Sequence, residues 1–201
     1  MYRLKRNIFF CATFSVQWYN KFMKSIVIND KSFKLVCGSL AYLKSACALM
    51  DSIKEDFRAR NIDIYQDGYP NYEIIENDLK NGENTLLLID EDNNVYAQIV
   101  STPNELRTMF SEKEVQKVLK HYNLPDKPYV GLCRLFVHKS LRSHGIGTYL
   151  IKQMEEKYKG QNFIFFVHLT NFNALNLYEQ LGFKNLGIHN YPFGEFYTFV
   201  K

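Results

Sequence analysis

The sequence predicts an α/β domain, and three observations carry that assignment. An apolar run at 132–137 leads into a basic, glycine-containing loop and then an amphipathic segment at 150–158, which reads as strand, tight loop and helix. A second apolar run at 163–169 is followed by Ala174, Leu177, Tyr178 and Leu181 at i, i+3, i+4 and i+7, one face of a helix that Gly182 ends. The 201 residues, 46 % of them hydrophobic, suffice for one sizeable core, and no internal repeat or low-complexity linker divides them.

Composition narrows function by exclusion. A net charge of +4, with basic residues scattered outside Arg3, Lys5 and Arg6, leaves no nucleic-acid footprint. No apolar run approaches the length needed to span a bilayer, so no membrane partner is expected. Cys11, Cys37, Cys47 and Cys133 are isolated, without C-x-x-C or metal-ligand spacing against His. They read as reduced residues of a cytoplasmic protein, with no metal expected.

The loop after the first apolar run holds Arg142, Ser143, His144, Gly145, Ile146, Gly147 and Thr148. Gly145 and Gly147 let a ligand approach the main chain closely. The unpaired N–H groups of the helix's first turn point into such a loop with the positive end of the dipole behind them, which attracts phosphate. Arg142 adds a charge with bidentate geometry. A nucleoside-triphosphate loop requires Lys after its last glycine, yet Thr148 follows Gly147. A dinucleotide fingerprint requires glycine where Leu150 stands. What remains is R-x-x-G-x-G after a strand, a pattern that a plain strand–helix turn also satisfies.

The second segment, Asn171-Phe172-Asn173-Ala174-Leu175-Asn176-Leu177-Tyr178-Glu179-Gln180-Leu181-Gly182-Phe183, narrows the choice. With the loop it resembles the GNAT superfamily of acyl-CoA N-acyltransferases, whose motifs [RQ]-x-x-G-x-[GA] and N-x-x-A-x-x-L-Y-E-[KRQ]-L-G-F occur in this order. The chain departs from the commoner loop form at Lys139, where the family has Pro, and at Ser143, where it has Gly. The stretch Gly68-Tyr69-Pro70-Asn71 extends the resemblance upstream, so that it covers most of 34–201. It implies a central mixed, mostly antiparallel sheet, splayed at the acyl-CoA site and flanked by helices, in a single domain over 24–201.

Along the chain, residues 1–23 read as an N-terminal extension without an assigned role. They lack the cleavage site of a signal peptide, and Met23 is a natural second start. Residues 32–38 supply a first strand. From Leu40 a long helix follows, with Leu43, Ala46, Cys47, Met50, Ile53 and Phe57 on one face. Asn71 caps a short helix ending near Lys80. Runs at 85–90 and 95–100 flank a polar hairpin tip. An insertion at 101–127 contains the capping box Ser111 to Glu114 and a helix packing Val115, Val118, Leu119 and Tyr122. The resemblance puts this insertion near the acceptor side of the cleft, where it shapes substrate choice or covers a sheet edge. Two closing strands, at 184–188 and 195–200, end the chain.

The resemblance also implies a ligand geometry. The backbone of Phe136 and Val137 pairs with the pantetheine amides, and the diphosphate rests on the N–H groups of Arg142 to Thr148. Asn171, a helix cap on its own reading, matches the family's pantetheine-contacting Asn, with Asn173 and Ala174 beside the CoA chain. Tyr178, otherwise core, matches the Tyr that protonates the leaving thiolate. The general base is not visible, since 132–137 holds no carboxylate. His168 is the first candidate and Glu73 and Glu76 are weaker ones, although a lone strand-end His is more often structural. Arg134 shares a face with Leu132 and Phe136 by strand alternation and enters the cleft or a buried ion pair. Tyr65, Tyr69 and Tyr72 lie near the acceptor channel. The expected partners are acetyl-CoA and an amine acceptor, with a homodimer left open. The rival expectation is an acyl-CoA-holding sensor or scaffold without turnover.

Overall fold

The computed structural model describes residues 25–191 and 194–201; the segment read as an N-terminal extension, 1–23, lies outside them. One eight-stranded sheet runs in the order β1-β2-β3-β4-β5-β6-β8-β7. Its strands are β1 (Ile26–Ile28), β2 (Lys31–Cys37), β3 (Thr85–Ile89), β4 (Val95–Thr102), β5 (Tyr129–Val137), β6 (Asn162–His168), β7 (Lys184–Tyr191) and β8 (Gly194–Val200). All neighbours are antiparallel except β5 and β6. The helices are α1 (Leu43–Ala59), α2 (Tyr72–Lys80), α3 (Glu105–Met109), α4 (Glu112–Tyr122), α5 (Ile146–Lys157) and α6 (Phe172–Gln180). The mixed, mostly antiparallel sheet flanked by helices is the architecture expected.

The local signals place these elements. Asn71 Oδ1 accepts from Ile74 N at 3.0 Å and starts α2. Ser111 N donates to Glu114 Oε2 at 2.9 Å, half of the capping box that opens α4. Asp90 Oδ1 accepts from Asp92 N and Asn94 N and shapes the β3–β4 tip. The first strand differs from expectation. Asn29 and Asp30, both at positive φ, form a two-residue hairpin turn, so β1 precedes the strand read at 32–38.

Helices cover both faces. On one, α5 and α6 pack Ile146, Leu150, Ile151, Met154 and Tyr178 against Leu86, Leu88, Ile99, Leu132, Phe165 and Phe199. On the other, α1 and α2 bury Ala46, Leu49, Ile53, Ile75 and Leu79 against Leu87, Ile89 and Phe136. The insertion covers the rest of that second face. Leu106 of α3 and Val115, Val118 and Leu119 of α4 pack on Tyr129 and Ile164, whose neighbours Val130 and Phe163 point the other way.

Two departures from regular pairing open the sheet's centre. β5 and β6 pair only through Tyr129 with Asn162 and Val130 with Phe163, and then part. In β5, Arg134 and Leu135 together stand opposite Ile99, a β-bulge in which Arg134 takes φ 47°. The bulge shifts the alternation, so Leu132 joins the α5–α6 core while Phe136 joins the α1–α2 core. The shared face expected for Leu132, Arg134 and Phe136 is therefore not observed. Arg134 turns instead to α2.

Candidate active site

A cleft of about 1430 Å³ occupies the gap between β5 and β6. Its floor is set by the loop ahead of α5. Gly145, at φ 75°, is the N-terminal boundary residue of that helix, and a Cβ there would meet only open space. Gly147 allows a close approach, because a Cβ on it would lie 3.1 Å from Leu177 Cδ2 of α6. Ser143, where the family motif has glycine, is exposed and also left-handed, at φ 63°. Ser143→Gly is expected to raise stability by up to about 1 kcal/mol, read from a denaturant midpoint, since a Cβ is disfavoured there.

Most residues expected at the cofactor line this cleft: Val137, Arg142, Ser143, Gly145, Ile146, Gly147 and Thr148 from the β5–α5 side, and Asn171, Asn173 and Ala174 from α6. His144 and Phe136 do not. The His144 ring bonds to the Arg142 carbonyl at 2.8 Å. The Phe136 side chain is buried against α1 and α2. His138 N donates to Tyr96 O, so by antiparallel alternation Phe136 pairs its backbone with Gln98. The main-chain groups facing the gap there belong to Val137. Arg142 is not a free cation: Nε donates to Val137 O at 3.2 Å and Nη1 meets Asp56 Oδ2 at 2.8 Å. Burial opposes it, yet these bonds from Arg142 and Arg60 hold the Asp56 carboxyl below its ordinary range. Arg142 thus ties the loop to α1. Asn171 is a helix cap, its Oδ1 accepting from Ala174 N at 3.4 Å.

The far end of the cleft is aromatic and polar. Tyr178 is 5 % exposed and lies among Phe165, Phe183 and Phe199, yet it also lines the cleft. Burial pushes its phenol above the ordinary value, so it stays protonated at neutral pH. Tyr65, left-handed at φ 65°, packs on Phe57, Tyr69 and Phe136. Tyr65 and Tyr69 reach the cleft, whereas Tyr72 does not and is 57 % exposed. Two bulky or charged residues, Tyr65 and Arg134, thus hold left-handed backbones at one cleft, and such strain concentrates at functional sites. The buried ion-pair reading of Arg134 holds. It makes two bonds to Asp78, at 2.5 and 2.6 Å, and donates to Tyr69 Oη at 2.7 Å.

His168 lines the cleft at the end of β6. Thr170 N donates to its Nδ1 at 3.3 Å, and the Thr170 hydroxyl lies 3.0 Å from the same atom. An accepting Nδ1 puts the neutral ring's proton on Nε2, which leaves no lone pair free for an incoming amine. Glu73 and Glu76 do not line the cleft. The carboxylate that sequence reasoning missed is Glu105, the first residue of α3. It lines the cleft, is 5 % exposed, and is pushed up to about 7 by burial, against a lowering hydrogen bond from Thr102 and the charge of Arg134. Its only sequence signal was its place in the insertion.

Among the described residues no helix is long and apolar enough to cross a membrane, and no group of three His, Cys, Asp or Glu side chains gathers as a metal site. No curated protein sequence matches the chain. Solved structures resemble it in fold. A GNAT-family acetyltransferase from Streptococcus agalactiae 2603 aligns with TM-score 0.68 and 18 % identity over 84 % of this chain and 94 % of that one. One from Listeria monocytogenes 4b F2365 gives 0.62 and 14 % over 89 % and 99 %. Arabidopsis thaliana NAA60 in complex with acetyl-CoA gives 0.55 and 15 % over 84 % and 97 %. The acetyltransferase (GNAT) family model matches residues 48–183, more than half of the sequence. The chain belongs to the GNAT acetyltransferase family.

Proposed function

We propose that the protein moves an acetyl group from acetyl-CoA to a primary amine of a small molecule or peptide, directly, in a ternary complex. The observation that carries this reading is the parting of β5 from β6 beside a loop of left-handed residues at a helix N-terminus. A pantetheine arm fits such a gap as an added strand, using the main-chain groups of Val137. The amides of 143–148 take the diphosphate. Asn171 fixes the start of α6, which brings Asn173 and Ala174 to the CoA chain. The acetyl-CoA complex of the similarly folded NAA60 is consistent with this cofactor.

Direct transfer is favoured over a covalent acyl-enzyme. Cys133 is the nucleophilic thiol of the cleft, and burial pushes it up to about 11. A thiol held protonated at neutral pH attacks a thioester poorly. The two reactants are instead held together, which removes much of the entropic barrier. Tyr178, buried and protonated, gives its proton to the departing sulfur.

Thiol release from acetyl-CoA across a panel of primary amines tests the reading, with mass spectrometry of the product. Release that requires an amine and adds one acetyl group to it is expected. Tight acetyl-CoA binding without release for any amine would favour the sensor or scaffold. Tyr178→Phe is expected to lower kcat by roughly 10²-fold or more while acetyl-CoA affinity stays within about twofold. Unchanged kcat would remove its acid role.

A further inference from the structure

We propose that Glu105 binds the acceptor's ammonium group and takes its proton, serving as the general base that β5 does not supply. This rests on the acetyltransferase reading and deepens it. The argument starts from an orphan. Glu105 Oε2 is buried and has no hydrogen-bond donor from the protein, while the residue lines the cleft, so a donor that enters there would relieve an otherwise costly burial. The fold holds it there on purpose-built ground. Glu105 lies flat on Gly131 of β5, where any Cβ would collide with its carboxyl group. Arg134, whose charge reaches Glu105, already spends both forks of its guanidinium on Asp78 and Tyr69. The orphan oxygen therefore asks for a donor carrying positive charge, which a protonated amine is.

The surroundings agree. Thr102 of β4 bonds the carboxyl, Cys133 and Arg134 of β5 lie within electrostatic reach, and Asp78 of α2 stands behind Arg134. β6 brings His168 to the same cleft, while α4 turns Val115, Val118 and Leu119 toward α3. Cys133 feels Glu105, and Tyr178 feels Cys133. Glu105, Cys133 and Tyr178 thus line one cleft, beside the bulge. Farther out, Arg60 and Arg142 are paired with Asp56, whereas Asp63, Asp67 and Glu195 line the cleft with no ion pair among the described residues. That balance draws cationic acceptors and repels carboxylate-bearing ones.

The protons balance. A primary amine arrives as R–NH3⁺ at neutral pH. Glu105 accepts one proton and later releases it to solvent. The freed nitrogen pair forms the C–N bond as the C–S bond breaks, and the electron pair leaves on sulfur. Tyr178 donates its proton to that sulfur and regains one from the new amide nitrogen. An acid limb near pH 7 follows, because Glu105 must be ionised to act and its carboxyl is pushed up to about 7.

The test measures kcat/KM against pH for wild type, Glu105→Gln and Glu105→Asp. The amines are tyramine, spermidine, glutamate and a short peptide, with acetyl-CoA affinity and thermal midpoint as controls. Glu105→Gln is expected to keep acetyl-CoA affinity, lose about 10²-fold or more in kcat/KM at pH 7, and lose the acid limb. The deficit should narrow as pH approaches the amine's own pKa, where solvent supplies the free amine. Asp should restore part of the rate, and glutamate should be the poorest acceptor in wild type. Wild-type levels in Glu105→Gln with the limb retained would overturn the proposal and leave the acetyltransferase reading standing. Absence of wild-type turnover with every amine would overturn both. A merely structural Glu105 would lower the thermal midpoint on substitution, whereas this proposal expects the midpoint to rise above pH 7.

Discussion

Gly145→Glu is expected to weaken acetyl-CoA binding by roughly 10³-fold while leaving the fold intact. A Cβ at this position has no protein atom within 4 Å, so the branch point itself meets no steric collision. The left-handed backbone, at φ 75°, costs a residue with a Cβ about 1–2 kcal/mol. A carboxylate at the first turn of α5 offsets part of that through the helix dipole. The same carboxylate stands where the diphosphate would rest. Two negative charges about 4 Å apart repel by about 4 kcal/mol near a protein surface, which corresponds to roughly 10³-fold in affinity. Calorimetric titration with acetyl-CoA reads this directly. Normal affinity in a folded Gly145→Glu protein would remove the loop from the binding site.

Arg134→Met is expected to cost about 3–5 kcal/mol of stability. The side chains of Arg134 and Asp78 are only 13 % and 9 % exposed, and two short bonds join them. Burial already pushes the Asp78 carboxyl above its ordinary range, with Arg134 opposing that push. Without the guanidinium the carboxylate has no compensating charge. The raised folded-state pKa fixes the sign: the deficit shrinks at low pH, where Asp78 is protonated, and grows as pH rises. Denaturant unfolding of Arg134→Met, Asp78→Leu and the double variant checks this. The double variant should recover most of the loss, since an uncharged pair leaves nothing unpaired. Equal losses in all three would place the effect elsewhere.

Glu105 gives a second pH dependence of known sign. Its carboxyl sits near 7 in the folded chain against an ordinary 4.5. The folded state therefore loses stability as pH rises between those values, by about 3 kcal/mol in all. Glu105→Gln should be more stable than wild type at pH 8 and close to it at pH 5.

Much of this was legible because it is local. The glycines at 145 and 147, the Asn71 cap, the capping box at Ser111 and the stripe of Ala174, Leu177, Tyr178 and Leu181 each act within a few residues. Their spacing therefore fixed loop and helices without any knowledge of neighbours. The turn at Asn29 and Asp30 is equally local, yet the strand expected at 32–38 includes neither it nor the three-residue β1. What could not be read depends on pairing across the sheet. The bulge at Arg134 exists only relative to Ile99 of β4, whereas strand alternation taken alone gives Leu132, Arg134 and Phe136 one shared face. Glu105 is a cleft residue only because Gly131, 26 positions away in sequence, leaves room for it. Arg142 was legible as a motif residue, but its engagement by Asp56 depends on where α1 ends.

Hydrogen exchange of the backbone amides, with and without acetyl-CoA, asks most directly whether the gap between β5 and β6 holds the cofactor. Slowed exchange concentrated at 131–137 and 143–149 is expected, covering the unpaired edge of β5 and the first turn of α5. Protection confined to other segments, or none at saturating acetyl-CoA, would contradict it.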